Sequence, residues 1–426
     1  STCTACFAST KAYEGLIDQW SEDTKIPKGF ITNYLGEYDL WRPQHTRRFS
    51  AHNAVVDMFN TPEKVENVRS TIAGLLRKGQ TKLLKVAKEM LKSTEPHLVP
   101  TLLVKVRAAL NAYDQFWHQA NTSISYGREH IESKNVPLYM EYGLETNYWV
   151  KFRPYLRCTS SQRIGPEIGG AKIWCNPVYF FQNRPRNFFS AGSGHDYGYE
   201  GTIFEIVPDA HVVTADCWQA EEEVYASISW SRDQFTFLQK CIHGKQEGDV
   251  DPRHDGQYVT FDRVLDAVKA KGIEHFDAIK CNIEAYEYTM FGYIFSEGRE
   301  ERILRGTSHI HLEHHRLGMQ ADGKNWNGLL LSELLWAYFM SGGFLPTSTE
   351  KWHDSTACQD VEFVNQTWFL ESEVDMVRNV MDLKLPPMLN FPEDVGAFQC
   401  GEQCKAFRND VTKSIKYAAD SNGLIR

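Results

Sequence analysis

The sequence has no apolar run long enough to cross a membrane, no internal repeat and no low-complexity tract. Its longest apolar stretch, residues 329–340, is interrupted by Ser332 and Glu333, whereas a membrane helix needs roughly 20 apolar residues. With 42% hydrophobic and 13% aromatic residues among 426, the chain has enough apolar side chain to exclude disorder as its main state. We expect a folded chain of one to three domains without a membrane span.

An excess of basic charge is also missing. Lys and Arg number 46 against 55 Asp and Glu, for a net charge of -9, and the basic residues are scattered. A protein that binds nucleic acid or an anionic membrane surface gathers basic side chains into a patch. The composition therefore excludes nucleic acid and anionic membranes as expected partners.

Cysteine is plentiful, and its even count of ten favours disulfides in an oxidising compartment. Asn121 in Asn-Thr-Ser and Asn365 in Asn-Gln-Thr fit glycosylation in the same setting. The chain starts at Ser1 rather than at Met, as after loss of a signal peptide, although an engineered start looks the same. We expect a glycoprotein of the secretory lumen or the extracellular space.

A zinc site is the alternative for four of the cysteines. Cys3 and Cys6 are separated by two residues, and Cys400 and Cys404 would complete the set. The second spacing is loose and no nearby His completes a familiar zinc pattern. Disulfides are the favoured interpretation.

Residues 1–150 are predicted to form a helical region. From Pro62, a favoured first helical residue, apolar positions recur at helical spacing, and Gly79 is expected to end this helix. Two further amphipathic helices are expected over residues 83–91 and 100–117. Such a bundle is expected to cap the second region, and a lid or a dimerisation arm, which would make a homo-oligomer, is the alternative.

Residues 151–426 show short β-rich runs that alternate with helical patterns. The predicted strands cover residues 187–191, 211–215, 276–280 and 309–312, and the two clearest helices cover 285–295 and 329–340. This alternation predicts an α/β domain with an open, largely parallel sheet and helices on both faces. The boundary between the two regions is expected between residues 121 and 151.

The most informative segment joins the first two strands of this sheet. Gly192 and Gly194 follow the first strand, where glycine permits a sharp turn and close approach of the backbone to a ligand. Asp216 follows the second strand, where a carboxylate can accept hydrogen bonds from both hydroxyls of a ribose. The segment predicts a nucleoside pocket, with a plain tight turn and a solvated Asp as the alternative.

Polar residues also follow the third strand. Asn282, Glu284 and Glu287 emerge there, and ligands of open α/β sheets bind off the carboxyl ends of the strands. Asn282 and Glu284 are predicted to position a substrate. Glu287 is either a third such residue or an ordinary acid in the first turn of a helix.

The fourth strand concentrates imidazoles and a carboxylate. A two-residue period puts His309, His311, Glu313 and His315 on one face. We expect His311 to act as a general base and Glu313 to orient it. A divalent metal and a purely structural His cluster are alternatives, and because the HExxH and HxxEH patterns are lacking, no metal ligand is assigned.

Four ordered segments carry a resemblance to a known family: Gly169-Gly-Ala-Lys172-Ile-Trp174-Cys175-Asn-Pro177, Phe189-Ser-Ala-Gly-Ser-Gly-His-Asp196-Tyr-Gly-Tyr-Glu200, Lys280-Cys-Asn-Ile-Glu284-Ala-Tyr-Glu287 and His311-Leu-Glu313-His-His315. Together with the segment from Cys358 to Asn365, they resemble methyltransferase-like proteins of the methyltransferase-like 24 type. Those are similar to the FkbM-like S-adenosylmethionine-dependent methyltransferases. The resemblance covers about residues 158–365 and leaves the first 150 without a counterpart.

The resemblance implies a class I methyltransferase (Rossmann-like) fold. It implies that the methionine end of S-adenosylmethionine lies near Gly192 and Gly194 and its ribose near Asp216, and it assigns Asp196 and Glu200 to the cofactor loop.

The chain departs from the family pattern after the third strand. Asn282 stands where the family usually has Asp, and the bulky Tyr286 occupies a position that is usually small. The chain therefore lacks, at this position, a carboxylate that could bind a metal or handle a proton.

The leading hypothesis is a methyltransferase that uses S-adenosylmethionine and acts on an oxygen of a sugar or another small polar acceptor. The alternative is a catalytically silent relative with a binding or assembly role in a secreted setting. A third, weaker hypothesis is a nicotinamide-dependent oxidoreductase that uses the same glycine turn.

Overall fold

A computed structural model of the chain describes residues 62–133, 152–166, 170–183, 185–242, 244, 258–283, 286–296, 298–315, 326–351 and 358–381. Its helices are α1 Pro62–Ser93, α2 Val99–Ser133, α3 Pro177–Gln182, α4 Gly198–Ile206, α5 Glu221–Ser227, α6 Phe261–Val268, α7 Glu287–Ser296, α8 Glu300–Ile303, α9 Trp326–Gly342 and α10 Gln366–Met381. Its strands are β1 Ser161–Ile164, β2 Lys172–Cys175, β3 Asn187–Ala191, β4 His211–Ala215, β5 Phe235–Leu238, β6 Cys241–Ile242, β7 Tyr258–Val259, β8 Ala278–Cys281, β9 His309–His315, β10 Phe344–Lys351 and β11 Cys358–Asn365. The predicted α/β class and the helical N-terminal region are confirmed.

The central sheet has seven strands in the order β10-β11-β9-β8-β3-β4-β5. The five strands from β9 to β5 pair in parallel, as predicted. β11 instead runs antiparallel to both of its neighbours, β9 and β10, so the sheet is mixed rather than largely parallel throughout. β10 and β11 are consecutive in the chain, and antiparallel neighbours need only a short connection, whereas a parallel pair needs a crossover.

The two faces of the sheet are buried under different layers. On the hairpin face, Phe188, Val212 and Ala278 pack with Trp174 of the antiparallel β1–β2 hairpin and with α3 and α4. On the helical face, the alternate side chains of the same strands pack against α1, α2, α6, α7, α9 and α10. This double burial is typical of parallel strands in α/β proteins.

Gly79 does not end the first helix, contrary to the sequence prediction, because α1 continues through it to Ser93. A Cβ at this position would lie 2.3 Å from the Met340 carbonyl oxygen and 2.6 Å from the Tyr113 ring. Glycine is therefore required here by the close approach of α1 to α2 and α9, and tertiary packing overrides its low helix propensity.

The N-terminal helices and the sheet share one hydrophobic core. Val65 of α1 and Phe116 of α2 belong to the same cluster of buried residues as Ile310 of the sheet. Most of the segment predicted to hold the domain boundary, residues 134–151, lies outside the described residues, so the division at residue 150 stays a prediction.

Among the described residues, two disulfides each join a loop to a short strand outside the central sheet. Cys158 is joined to Cys175 at the end of β2, and Cys217, which directly follows Asp216, is joined to Cys241. Both bonds are compatible with the expected oxidising compartment. Cys3, Cys6, Cys400 and Cys404 lie outside the described residues. Among the described helices, none has the length and apolar character needed to cross a bilayer.

Two glycines of α1 give a matched test of this packing. Gly79→Ala is expected to destabilise the protein by about 1–3 kcal/mol, because the added methyl group meets backbone and an aromatic ring. Gly74→Ala, in the same helix but with no atom within 4 Å of its Cβ position, is expected to stabilise it by about 0.5–1 kcal/mol. Urea unfolding of both variants measures the difference, and equal effects would contradict the packing account.

Candidate functional site

β3 lies between β4 and β8 in the sheet. From β3 the chain adds β4 and β5 on one side, and it then returns to add β8 and β9 on the other side. Ligands of open α/β sheets bind at such a switch point, outside the carboxyl ends of the strands. Gly192 follows β3 with a φ of 76°, and Gly194 follows with a φ of 57°. A Cβ on Gly192 would meet the Asn282 carbonyl oxygen at 1.6 Å, whereas one on Gly194 would meet nothing within 4 Å. The turn therefore packs on the end of β8 and opens at Gly194.

Asn282 and Lys280 border the turn from β8. The Lys280 amine donates to the Gly192 carbonyl at 2.6 Å, and the Asn282 backbone N–H donates to the Ala191 carbonyl at 2.8 Å. The side-chain Oδ1 of Asn282 is buried and accepts no hydrogen bond from the described residues. The switch point thus holds an acceptor atom that is available to a hydrogen-bond donor. Glu284, predicted to lie beside it, is outside the described residues.

Asp216 directly follows β4 and reaches the same turn. Its Oδ2 accepts hydrogen bonds from the backbone N–H groups of Ser193 at 3.1 Å and Gly194 at 3.0 Å, and its Oδ1 accepts one from Trp218 N–H at 2.8 Å. The carboxylate is buried. It therefore fixes the glycine turn itself, and a ribose at this position would have to share or replace these donors.

Asp196 and Glu200 lie at the start of α4. The exposed Asp196 accepts a hydrogen bond from Gly198 N–H at 2.9 Å. Glu200 is fully buried under α4, where Oε1 lies 3.5 Å from the Thr214 hydroxyl and Oε2 has no partner among the described residues. Asp196 thus contacts the backbone at the start of α4, whereas Glu200 lies against Thr214 of β4.

The predicted alternation of β9 is confirmed. His309 and His311 both contact the Trp174 ring on the hairpin face, with centroid distances of 5.3 and 4.3 Å. Ile310 and Leu312 belong to the core on the helical face. All seven residues of the strand are buried, so the imidazoles lie inside the protein rather than on its surface.

The two imidazoles under the hairpin differ in their partners. The His309 ring lies 3.1 Å from the Cys175 carbonyl and 2.9 Å from the Ser308 hydroxyl. The Nε2 of His311 has no hydrogen-bond partner among the described residues. Burial lowers the pKa of His309 to about 3 and the pKa of His311 well below its ordinary value, so both rings are neutral.

His311 faces a small polar cleft, the hairpin cleft, between β2 and the sheet. Lys172, Asp360 and Glu362 line it, and the Lys172 amine donates to Asp360 Oδ1 at 2.8 Å. Glu362 accepts hydrogen bonds from Cys175 N–H at 2.7 Å and from a Thr347 hydroxyl at 2.6 Å. Burial raises the pKa of Glu362 to about 8, which places a protonated carboxyl group beside His311 at neutral pH.

The carboxylate of Glu313, which the sequence predicted to orient His311, contacts other side chains. Its Oε1 accepts a hydrogen bond from the Cys358 thiol at 3.1 Å and lies 3.7 Å from His315 Nε2. The other ring nitrogen of His315 lies 3.0 Å from Glu287. Glu287 therefore orients an imidazole, a role that neither of the two sequence interpretations contained.

Sequence reasoning missed Lys280, Lys172 and Cys358 as site residues. A lysine inside a buried apolar strand, as in Ala-Ile-Lys-Cys, is itself a signal, because an unpaired buried ammonium group is costly. Cys358 carries no comparable local signal, since only strand pairing brings it to His315.

No family model and no curated protein matches this chain. The functional assignment therefore depends on the residues and on their arrangement.

The raised pKa of Glu362 predicts a pH-dependent stability. The native state holds a proton that the unfolded chain releases above its ordinary pKa of 4.5. This contribution is fully present below that value and is lost as the pH rises through about 8, at no more than about 1.4 kcal/mol per pH unit. Glu362→Gln keeps a neutral side chain at every pH, so the stability of the wild type should fall relative to that variant between about pH 5 and pH 8. Denaturant unfolding across this range measures the difference, and parallel profiles would show that Glu362 is ionised in the native state.

Proposed function

We propose that the protein is an S-adenosylmethionine-dependent methyltransferase that acts on an oxygen of a sugar or another small polar acceptor. The observation that carries the proposal is the meeting of three features at the switch point. These are the open turn at Gly194, the carboxylate of Asp216 at the end of the next strand, and the unpartnered acceptor of Asn282. A nucleoside with a charged amino-acid tail offers hydroxyl and ammonium donors to those two acceptors.

The topology of the sheet supports the same proposal. When its strands are numbered within the sheet in chain order, the sheet reads 3-2-1-4-5-7-6, and the seventh strand is the reversed one. This is the order expected of a class I methyltransferase. The fold by itself names no reaction, so the argument depends on the residues at the switch point.

For methyl transfer the protein mainly has to align the methyl group with the acceptor oxygen and to remove a proton from the acceptor. S-adenosylmethionine supplies an electrophilic methyl group, which passes to the acceptor oxygen and leaves a neutral thioether. The acceptor hydroxyl gives its proton to a base. We assign Asn282 and Glu284 to substrate positioning, and Gly192, Gly194 and Asp216 to the cofactor.

His311 remains the proposed base. Its low pKa keeps the ring neutral, and its Nε2 has no hydrogen-bond partner among the described residues. His311 lies opposite Lys280 in the sheet register, and the Lys280 amine contacts the glycine turn, which links the hairpin cleft to the switch point. Glu362, in the same cleft, has a pKa of about 8, so its ionised form would take the proton from His311 and return the imidazole to its neutral state.

The first test removes the proposed ribose contact. Asp216→Asn should weaken S-adenosylmethionine binding roughly 10- to 100-fold in calorimetric titration, because hydrogen bonds to a charged acceptor contribute about 1.5–3 kcal/mol. Asp209→Asn makes the same change of charge at an exposed residue paired with Arg186 and should leave binding unchanged. Thermal unfolding of both variants separates a lost contact from a displaced turn.

The same titration decides between an active methyltransferase and a catalytically silent relative. A wild-type protein that gives no binding heat with S-adenosylmethionine or S-adenosylhomocysteine would contradict the methyltransferase proposal. The silent binding or assembly role would then remain, with Asp216 serving only to fix the turn.

The second test concerns the base. His311→Gln should lower turnover by about 10²- to 10⁴-fold while S-adenosylmethionine affinity stays within error, because a general base acts in the chemical step. His309→Gln is the matched control, since His309 is equally buried on the same face but uses both ring nitrogens. Full turnover by His311→Gln would remove the base assignment.

A further inference from the structure

Three metal-ligating side chains meet at the carboxyl end of β9. The Cys358 sulfur, a Glu313 oxygen and a His315 ring nitrogen all lie within 4.8 Å of one another, and all three residues are buried. The separations of 3.1 Å from sulfur to oxygen and 3.7 Å from nitrogen to oxygen are close to the roughly 3.3–3.6 Å between neighbouring ligands of a tetrahedral zinc ion.

The backbone holds these residues together without needing a metal. Cys358 is paired directly with His315 across the antiparallel β9–β11 ladder, and Glu313 lies two residues back on the same face. Each side chain therefore projects from a strand of the central sheet, which fixes its position more firmly than a loop does.

Glu287 supplies the outer contact that ligating imidazoles usually have. Its Oε1 accepts hydrogen bonds from the backbone N–H of His315 at 2.8 Å and from the ring Nδ1 at 3.0 Å. This arrangement keeps the proton on Nδ1 and leaves the lone pair of Nε2 facing Glu313 and Cys358. A carboxylate that orients a histidine in this way also raises its basicity towards a metal.

The charge of the cluster favours a divalent cation. Glu287 and Glu313 are both buried, and the ion pairs seen for them among the described residues are with His315. The nearby Lys172 amine is already paired with Asp360. Even a protonated His315 would leave one buried negative charge, and buried charge is costly unless it is paired or coordinates a metal.

We propose that Glu313, His315 and Cys358 form a zinc site with one open coordination position. Thiolate, imidazole and carboxylate ligands together suit Zn²⁺ rather than Mg²⁺ or Ca²⁺. On binding, the Cys358 thiol releases its proton to solvent, and a water molecule or a substrate oxygen completes the tetrahedron. The site does not depend on S-adenosylmethionine binding, so it is tested in the absence of that compound.

The test uses the purified full chain, stripped with a chelator and titrated with Zn²⁺ and with Co²⁺. The wild type should bind one equivalent of zinc and develop the thiolate-to-cobalt charge-transfer absorption with Co²⁺. Cys358→Ser should lose that absorption and bind zinc at least 100-fold more weakly, and Glu287→Gln should bind roughly 10- to 100-fold more weakly.

Cys281→Ser is the matched control, since Cys281 is the other described cysteine outside the two disulfides, is also buried and points to the helical face. It should bind like the wild type. The proposal is overturned if the wild type takes up no zinc, if Cys358→Ser keeps the full equivalent, or if mass spectrometry of the unreduced protein finds Cys358 in a disulfide. Circular dichroism shows that each variant is folded.

Discussion

The structure depends on the burial of one polar strand. β9 is covered on both faces, yet five of its seven residues are His or Glu, and a buried polar group is costly unless it has a partner. The partners come from every layer around the strand. The Cys175 carbonyl of the hairpin contacts His309, Glu287 at the start of α7 contacts His315, and the Tyr288 hydroxyl and Trp336 indole contact His314. The hairpin, α7 and α9 are thus each positioned by a polar contact as well as by packing. A shift of any one of them would leave a buried imidazole without that contact.

The sequence predicted the elements that can be recognised from their own residues. It did not predict the features that depend on packing partners distant in the chain. β3 and β4 were predicted to the residue, because each is a short apolar run between turn residues. β9 was predicted over residues 309–312, although its two-residue period was followed as far as His315, and its pairing with β11 shows that the strand includes the polar residues after Leu312. Gly79 looked like a helix terminus because its packing partners, Tyr113 and Met340, lie far away in sequence.

The candidate site was predictable to a similar degree. The shared face of His309, His311 and Glu313 followed from the two-residue period of a strand. The position of Cys358 beside His315 did not follow from this period, because it depends on the antiparallel direction of β11 and on its register against β9. Periodicity shows which face of a sheet a residue occupies but not which distant strand lies beside it. A site built from the side chains of two strands therefore cannot be predicted from the pattern of either strand alone.

The two proposals are electrostatically compatible. β8 ends at Cys281, opposite Leu312, so Glu313 and His315 extend past its last paired residue, at the edge where Asn282 leaves the sheet. A bound sulfonium is positively charged and becomes neutral on methyl transfer, so a net negative cluster at this edge stabilises the reactant more than the transition state. Catalysis requires the opposite preference. A zinc ion held by Glu313, His315 and the Cys358 thiolate would add one net positive charge and so would reduce this negative charge. It would also leave an open position for the acceptor oxygen, whose proton it would acidify as bound zinc does for water. The buried acids that make the site costly to fold would then be partly balanced in the state that reacts.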